Sequence, residues 1–315
     1  MCTMVIVKER REVMGTIIKL DNLTKRYGKA VVVDKFNLEI EQGSVCGLIG
    51  PNGAGKTTIM KMMAGLAQPN GGKMEFFGQK GNRITSTRMS FMIENPMLDI
   101  NMTARQNMEY IRFLKGVADD KKIVELLKFV GLEDVVDKKV KTFSLGMRQR
   151  LGIAMSLLSD PEILILDEPV NGLDPEGMVD VRMMLKKLSK EKEVTILISS
   201  HLLSELSELC TEYAIINGGR LVEKITAEEL AVKCENHIAI QTDDINRTVA
   251  LLEEELHIKN YKVYRNEELH LFEYLDDLKT VSQTITGAGQ TILKFVCEGA
   301  SLEDYYLSKV GGNNV

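Results

Sequence analysis

Short runs of apolar residues along this chain indicate buried strands. Val45–Ile49, Glu162–Leu166 and Glu193–Ile198 are rich in apolar and β-branched residues. The last two are almost wholly apolar, as expected for parallel strands that helices cover on both faces. Thr16–Leu20 and Ala30–Val33 are also strand-like. From residue 16 to about residue 230 strands alternate with helical segments, so the pattern predicts an α/β fold.

Between Asn95 and Ser159 the apolar residues recur at helical spacing instead. Ala104–Lys115 and Lys121–Val130 both have this pattern, which predicts amphipathic helices. We therefore expect a helical subdomain, at about residues 95–159, inserted between two parts of the α/β core.

The part of the chain after Leu230 has shorter segments in a different order. Its periodicity predicts strand, helix, strand, strand, helix, strand and a final helix, at His237–Thr242, Ile245–Leu256, Tyr261–Arg265, Leu269–Phe272, Leu275–Ile285, Thr291–Val296 and Ser301–Val310. The order βαββαβ predicts a small α+β, ferredoxin-like domain. We expect domains at residues 15–230 and 231–315. Residues 1–14 are expected to be a disordered tail, or a leader before a start near Met14.

Composition narrows the possible partners and compartments. The 315 residues have a formal net charge of −5, which gives no electrostatic argument for a nucleic-acid partner. No run approaches the roughly 18 apolar residues that a membrane-spanning helix needs. The five cysteines match no zinc-binding spacing, so we expect free thiols in a reducing cytosol.

The motif that points to chemistry is Gly50–Thr58, with the sequence GPNGAGKTT. It fits the phosphate-binding P-loop, in which glycines let backbone N–H groups surround phosphate oxygens. The ammonium of Lys56 is suited to the β- and γ-phosphates, and the hydroxyl of Thr57 to Mg²⁺. The residues expected to bind the nucleotide in this motif are Asn52, Gly53, Ala54, Gly55, Lys56, Thr57 and Thr58.

A pair of acidic residues ends the apolar run Glu162–Leu166. Asp167 is placed to hold Mg²⁺, directly or through water, and Glu168 to act as general base on an attacking water. Capping of a helix is the other interpretation of such a pair. A P-loop in the same chain favours the catalytic one.

A third candidate for the nucleotide site, a histidine, follows the strand at Glu193–Ile198. His201 comes after Ser199 and Ser200, at the end of a strand that we expect beside the P-loop strand. Its imidazole is then placed to reach the γ-phosphate, although a single histidine is also often a core or helix-capping residue.

The most specific segment is Phe143–Gly152, with the sequence FSLGMRQRLG. It resembles the LSGGQ signature of the ATP-binding-cassette (ABC) transporter ATPases: Ser144 and Gly146 are kept, whereas Leu145 and Met147 replace a glycine and the glutamine. The resemblance extends over about residues 16–225. It implies a P-loop NTPase cassette with a RecA-like core, an antiparallel β subdomain and a helical subdomain.

The resemblance also implies how the site is completed. In this family two subunits face each other head to tail and enclose two ATP molecules. Ser144, Gly146, Met147 and Asp174 of one copy would then contact ATP held by the other copy. Tyr27 matches the residue that stacks on adenine, its alternative being a core or strand-edge tyrosine, and His201 matches the switch histidine.

One departure from the family lies in Met92–Pro96, where a glutamine is usual and this chain has Glu94. A carboxylate there would add a charged ligand for Mg²⁺ and ATP; otherwise Glu94 is a solvated loop acid. This variant, together with the signature and residues 301–306 (SLEDYY), resembles bacterial exporters of the bacitracin-resistance and lantibiotic-immunity type.

The resemblance therefore predicts an ATPase subunit of a bacterial exporter, with Lys56, Glu168 and His201 as its catalytic residues. It implies ATP and Mg²⁺ as cofactors, and as partners a second copy of the chain and a separate permease of the ABC-2 export type. It also implies a cytoplasmic location, peripheral on the inner face of the plasma membrane. The alternatives are a soluble ABC ATPase and a cassette that regulates without turnover.

Overall fold

The computed structural model of the protein describes residues 15–80, 88–234, 236–264, 268–299 and 302–310. The predicted tail, residues 1–14, and Ser301 lie outside these ranges. The chain divides into two units. The first runs to Ala227 and resumes at Lys309, and the second is Glu228–Ser308. The predicted boundary near residue 230 falls inside a helix, Ala227–Lys233.

The strands of the described residues are numbered in chain order. They are β1 (Thr16–Tyr27), β2 (Ala30–Glu41), β3 (Val45–Ile49), β4 (Gly71–Phe76), β5 (Gln79–Lys80), β6 (Met89–Met92), β7 (Ile163–Leu166), β8 (Thr195–Ser200), β9 (Glu212–Asn217), β10 (Arg220–Thr226), β11 (His237–Thr242), β12 (Tyr261–Val263), β13 (Leu269–Leu271) and β14 (Ile292–Glu298).

The helices are numbered in the same way. They are α1 (Lys56–Met63), α2 (Ala104–Leu114), α3 (Lys121–Phe129), α4 (Leu145–Ser156), α5 (Pro175–Lys192), α6 (Ala227–Lys233), α7 (Ile245–Leu256), α8 (Leu278–Gly287) and α9 (Leu302–Val310). Short 3-10 turns lie at Glu133–Val135, Val140–Thr142 and Leu157–Ser159.

A six-stranded sheet in the order β10-β9-β3-β8-β7-β6 forms the centre of the first unit. Its neighbouring strands are parallel except for β10, which is antiparallel to β9. The residues of β3, β7 and β8 are all buried, as their apolar runs predict. The carboxyl ends of β3, β7 and β8 therefore meet at one edge, where parallel sheets carry their ligand sites. This confirms the predicted α/β fold.

A second sheet of the first unit is antiparallel, in the order β2-β1-β4-β5. Strands β1 and β2 are each 12 residues long and extend well beyond the predicted Thr16–Leu20 and Ala30–Val33. Buried and exposed positions alternate along the second half of β2 and are interspersed less regularly along β1, so polar residues interrupt the apolar run without ending the strand.

Helices α2, α3 and α4 occupy the interval in which a helical subdomain is predicted. Thr103 caps α2, with Gln106 completing a capping box, and the helix starts where predicted. Helix α4 starts at Leu145, because Ser144 accepts a hydrogen bond from the backbone N–H of Met147 and so caps the helix.

The second unit has the predicted order βαββαβ, formed by β11, α7, β12, β13, α8 and β14. Its antiparallel sheet has the order β12-β13-β11-β14, a ferredoxin-like arrangement. Helix α8 begins at Leu278 rather than at the predicted Leu275, because Asp277 caps it. Arg265, the predicted end of β12, lies outside the described residues.

Two further predictions concern cysteines and membrane helices. Cys46, Cys210, Cys234 and Cys297 are free thiols, and burial raises the pKa of Cys46 and Cys210. No helix in the described part of the chain has the length and apolar character needed to cross a membrane.

Candidate functional site

The P-loop joins β3 to α1 through a turn that depends on glycine. Gly53 and Gly55 have φ values of +81° and +108°, which are costly for residues with a Cβ atom. At Gly50 a Cβ atom would lie 2.5 Å from the carbonyl oxygen of Ile216. The loop therefore packs directly against β9, and its backbone is free to approach an anion.

Gly50→Ala should therefore destabilise the first unit. We expect a loss of about 1–3 kcal/mol, or a fall in Tm of about 2–12 °C, because the obstacle is a backbone carbonyl that cannot move aside. Circular dichroism during heating measures it. Gly15→Ala is the matched control, since no atom lies within 4 Å of its added Cβ. Equal Tm values for the two variants would contradict the packing described.

The ammonium of Lys56 lies inside the P-loop. The side chain is buried and donates to the carbonyl oxygens of Gly50 and Pro51, at 2.6 and 3.3 Å. Its Nζ also lies 3.4 Å from Oε1 of Glu168. A buried cation of this kind, surrounded by loop backbone, is suited to bind a phosphate oxygen.

Asp167 is buried beside the first turn of α1. Its Oδ2 accepts a hydrogen bond from the hydroxyl of Thr57 at 2.8 Å, and its Oδ1 accepts one from Ser199 at 2.6 Å. A hydroxyl and a carboxylate oxygen next to a phosphate loop are the donors that Mg²⁺ takes together with phosphate oxygens and water. No group of three or more His, Cys, Asp or Glu in the described ranges is placed to hold a metal ion.

Glu168 has a strained backbone and a fixed side chain. Its φ is +46°, a left-handed conformation that costs a non-glycine residue of the order of 1 kcal/mol. Its backbone N–H donates to the hydroxyl of Ser199 at 2.9 Å, and its Oε2 accepts from the amide of Asn171 at 2.9 Å. These contacts hold the carboxylate next to the P-loop lysine.

His201 lies on the other side of the same carboxylate. It follows β8 directly, and its Nδ1 is 3.9 Å from Oε2 of Glu168. That nitrogen is buried and has no hydrogen-bond partner in the described part of the chain. The imidazole is therefore at the sheet edge with a ring nitrogen that a ligand or water could satisfy.

Tyr27 and Glu94 have more exposed positions. Tyr27 is the last residue of β1 and is 51% exposed. The ammonium of Lys25 lies 4.9 Å from the centroid of its ring. It is therefore not a core residue. Glu94 forms an ion pair with Lys61, with 2.6 Å between Oε1 and Nζ.

The signature residues lie beside the segment that follows the acidic pair. Ser144 caps α4, and Asp174 caps α5 by accepting from the N–H of Gly177 at 3.1 Å. Leu145 lies against Gly172, and Leu173 lies against Gly146. The structure thus groups the signature with Asp174, and groups the P-loop with Asp167, Glu168 and His201.

A groove of about 240 Å³ is lined by the loop after β6 and by residues of α2 and α4. Gly152 of α4 allows this loop to pack closely, because a Cβ atom there would lie 2.5 Å from Cβ of Pro96. The groove is mainly apolar, and Met97 on its rim is 91% exposed.

Three residues of the site have contacts that the sequence analysis did not foresee: Ser199, Asn171 and Lys61. Ser199 lies beside Asp167 because Leu166 of β7 pairs with Ile198 of β8. That register was not available from the sequence, although the position of Ser199 at the end of an apolar strand was a usable signal. Asn171 follows Glu168 by three residues, and Lys61 follows Thr57 by one helical turn.

Comparisons with known proteins agree with this geometry. The ABC transporter family profile matches residues 33–171. The chain is 39% identical to the bacitracin transport ATP-binding protein BcrA of Bacillus licheniformis, over 96% of this chain and 100% of that protein. It is 43% identical to the lantibiotic transport ATP-binding protein SrtF of Streptococcus pyogenes, over 65% of this chain and 89% of that protein. Among solved structures, a dimeric bacterial ABC transporter cassette, MJ0796, matches with a TM-score of 0.62 and 25% identity, over 67% of this chain and 99% of that chain.

Proposed function

Since this chain belongs to the ABC transporter family of ATP-binding proteins and hydrolyses ATP, we propose that it drives the export of a peptide antibiotic through a separate membrane permease. The observation that carries this proposal is the complete group of Lys56, Asp167, Glu168 and His201 at one sheet edge. The class of cargo follows from similarity to bacitracin and lantibiotic transport proteins along most of the chain.

The roles within the site follow from its contacts. Lys56 binds the terminal phosphates and stabilises charge on the phosphoryl group. Glu168 takes a proton from water as the water oxygen attacks the γ-phosphorus and the bond to the β-phosphate oxygen breaks. His201 contacts the γ-phosphate, and Tyr27 stacks on adenine. Intact catalytic side chains argue against a cassette that regulates without turnover.

The metal belongs to the same group of residues. Thr57 and Asp167 would hold Mg²⁺, and when bound it would neutralise phosphate charge. Glu94 is the third candidate ligand for Mg²⁺, and its carboxylate is paired with the ammonium of Lys61. The remaining P-loop residues, Asn52, Gly53, Ala54, Gly55 and Thr58, supply backbone and side-chain contacts to the phosphates.

A second copy of the chain would complete each site. Ser144 caps α4, so Ser144, Gly146 and Met147 lie at a helix N-terminus, which favours an anion such as phosphate. They lie beside Asp174 at the start of α5 rather than in the P-loop, so the phosphate that they would bind must come from elsewhere. A head-to-tail pair supplies one, because the signature of one copy then faces the ATP of the other. That the solved cassette MJ0796 is dimeric supports the pairing of two copies.

The apolar groove beside the loop after β6 is the proposed docking site for the permease, which is of the ABC-2 export type. This loop carries Glu94 at the nucleotide site, and the same loop forms the groove wall with Pro96 and Met97. A change at the nucleotide can therefore reach a bound permease. The subunit would lie in the cytoplasm against the inner face of the plasma membrane.

Complementation tests this function. Deleting the gene in its own host should raise sensitivity to bacitracin or to a lantibiotic, and the wild-type gene should restore resistance. We expect Met97→Glu to fail, because its charge must enter an apolar contact, at a cost of several kcal/mol.

Val124→Glu, an exposed change on α3 outside the groove, should complement fully. Purified Met97→Glu protein should keep normal ATPase activity. A deletion strain with unchanged resistance to both antibiotic classes would contradict the proposed cargo, and full complementation by Met97→Glu would contradict the docking site.

A further inference from the structure

Lys61 and Glu94 form an ion pair at the edge of the nucleotide site. The Nζ of Lys61 donates to Oε1 of Glu94 at 2.6 Å. The Lys61 side chain is 35% exposed and that of Glu94 62% exposed. Their contribution to stability should therefore be at most about 1 kcal/mol.

The position of the pair is set by the elements that carry it. Lys61 lies one helical turn after Thr57 on α1, so both side chains project from the same side of the helix. Met92 of β6 pairs with Leu166 of β7, and the N–H of Asp167 donates to the carbonyl of Met92 at 2.8 Å.

Glu94 therefore follows β6 at the same sheet edge at which Asp167 follows β7. Its φ of +63° is a left-handed conformation, a strain that is common at functional sites. The hydrogen bond to Glu94 is the largest of the effects that raise the pKa of Lys61, and the charge of Asp167 adds the smallest. Two carboxylates and one ammonium thus share the edge where Thr57 and Asp167 would hold the metal.

We propose that Lys61 is the counter-charge to Glu94 and that it sets the affinity of this nucleotide site for its divalent cation. The inference rests on the proposed Mg²⁺-dependent ATP site. With Lys61 present, the added negative charge of Glu94 is balanced, and the metal meets little more charge than a glutamine at position 94 would give. Lys61 is a positioning residue here, since it acts on the metal through Glu94.

Charge removal then has opposite effects at the two positions. Lys61→Met leaves the carboxylates of Glu94 and Asp167 without the ammonium, so divalent cations should bind about threefold to tenfold more tightly. Glu94→Gln leaves the ammonium without its partner and should weaken cation binding by a similar factor. The double variant should return close to the wild-type affinity, because the two charges are removed together.

The experiment is a calorimetric titration of Mg²⁺ into full-length protein saturated with ADP, which needs no turnover. The differences should shrink at high salt, because the pair is exposed. Lys61→Arg keeps the charge and should retain wild-type affinity, which controls for loss of folding. Lys19→Met is the matched control: it breaks another exposed ion pair, with Glu39 on the antiparallel sheet, and should change nothing.

Three outcomes would overturn the inference: unchanged affinity in Lys61→Met, weaker affinity in Lys61→Met, or a double variant whose affinity stays at that of either single variant. The last would mean that the charges of Lys61 and Glu94 do not offset each other at the metal. A wild-type protein whose ADP complex binds no Mg²⁺ would instead contradict the proposed metal site itself, so the two failures are distinguishable.

Discussion

Glu168→Gln is expected to lower ATP turnover by about 10²- to 10⁴-fold, the usual contribution of a general base. An amide cannot take the proton from the attacking water, but it has nearly the same shape as the carboxylate. Its oxygen can still accept from Asn171, as Oε2 does at 2.9 Å. The strained turn at residue 168 is held through the backbone by Ser199, which the substitution leaves in place.

ATP affinity should be kept or improved in the same variant. The carboxylate of Glu168 lies 3.4 Å from Nζ of Lys56 and loses its charge in this variant. It then competes less with the phosphates for the Lys56 ammonium. Steady-state phosphate release and ATP titration measure the two effects separately. Glu125→Gln, an exposed change on α3, is the control and should behave as wild type. Turnover above about a tenth of the wild-type rate would remove Glu168 from the role of general base.

Lys56→Met should lower ATP affinity by about 30- to 150-fold, which corresponds to the roughly 2–3 kcal/mol of a charge-assisted hydrogen bond. The methionine fits the buried volume but donates no hydrogen bond. The carbonyl groups of Gly50 and Pro51 then lose their donor, so a modest loss of stability is also expected.

Lys56→Arg tests whether charge alone is enough. The site closes around a single amine and leaves the side chain 5% exposed, so a planar guanidinium should not fit and affinity should fall as well. Isothermal titration with ATP measures both variants, and thermal unfolding identifies any that fail to fold. Affinity within about threefold of wild type in Lys56→Met would contradict the placement of this ammonium at the phosphates.

Sequence periodicity predicted the central sheet well and its surroundings less well. The strands at Val45 and Ile163 are apolar because both of their faces are buried, and that signal is strong. The predicted strand from Glu193 was shifted by two residues, because Glu193 has a φ of +52° and ends α5. Strands β4, β5, β6, β9 and β10 were not predicted individually. Strand β5 has two residues and β10 has a single buried position, so the apolar signal of these two strands is weak.

In the candidate site, residues within contiguous motifs were predicted from the sequence, and a partner distant in sequence was not. Lys56, Thr57, Asp167 and Glu168 lie in contiguous motifs, so sequence was enough to select them, and the structure brings them together. Glu94 was also found, but its partner Lys61 was not. The ion pair depends on where the loop after β6 lies relative to α1, and the separation of 33 residues hides it from any local pattern.

The central claim is that the P-loop is half of a site that a second copy completes. Size-exclusion chromatography with light scattering on Glu168→Gln protein tests it most directly. With ATP and Mg²⁺ the account predicts a mass twice the 35.3 kDa of one chain, and with ADP a return to a single chain. A mass of one chain in the presence of ATP, when calorimetry shows that ATP is bound, would contradict it.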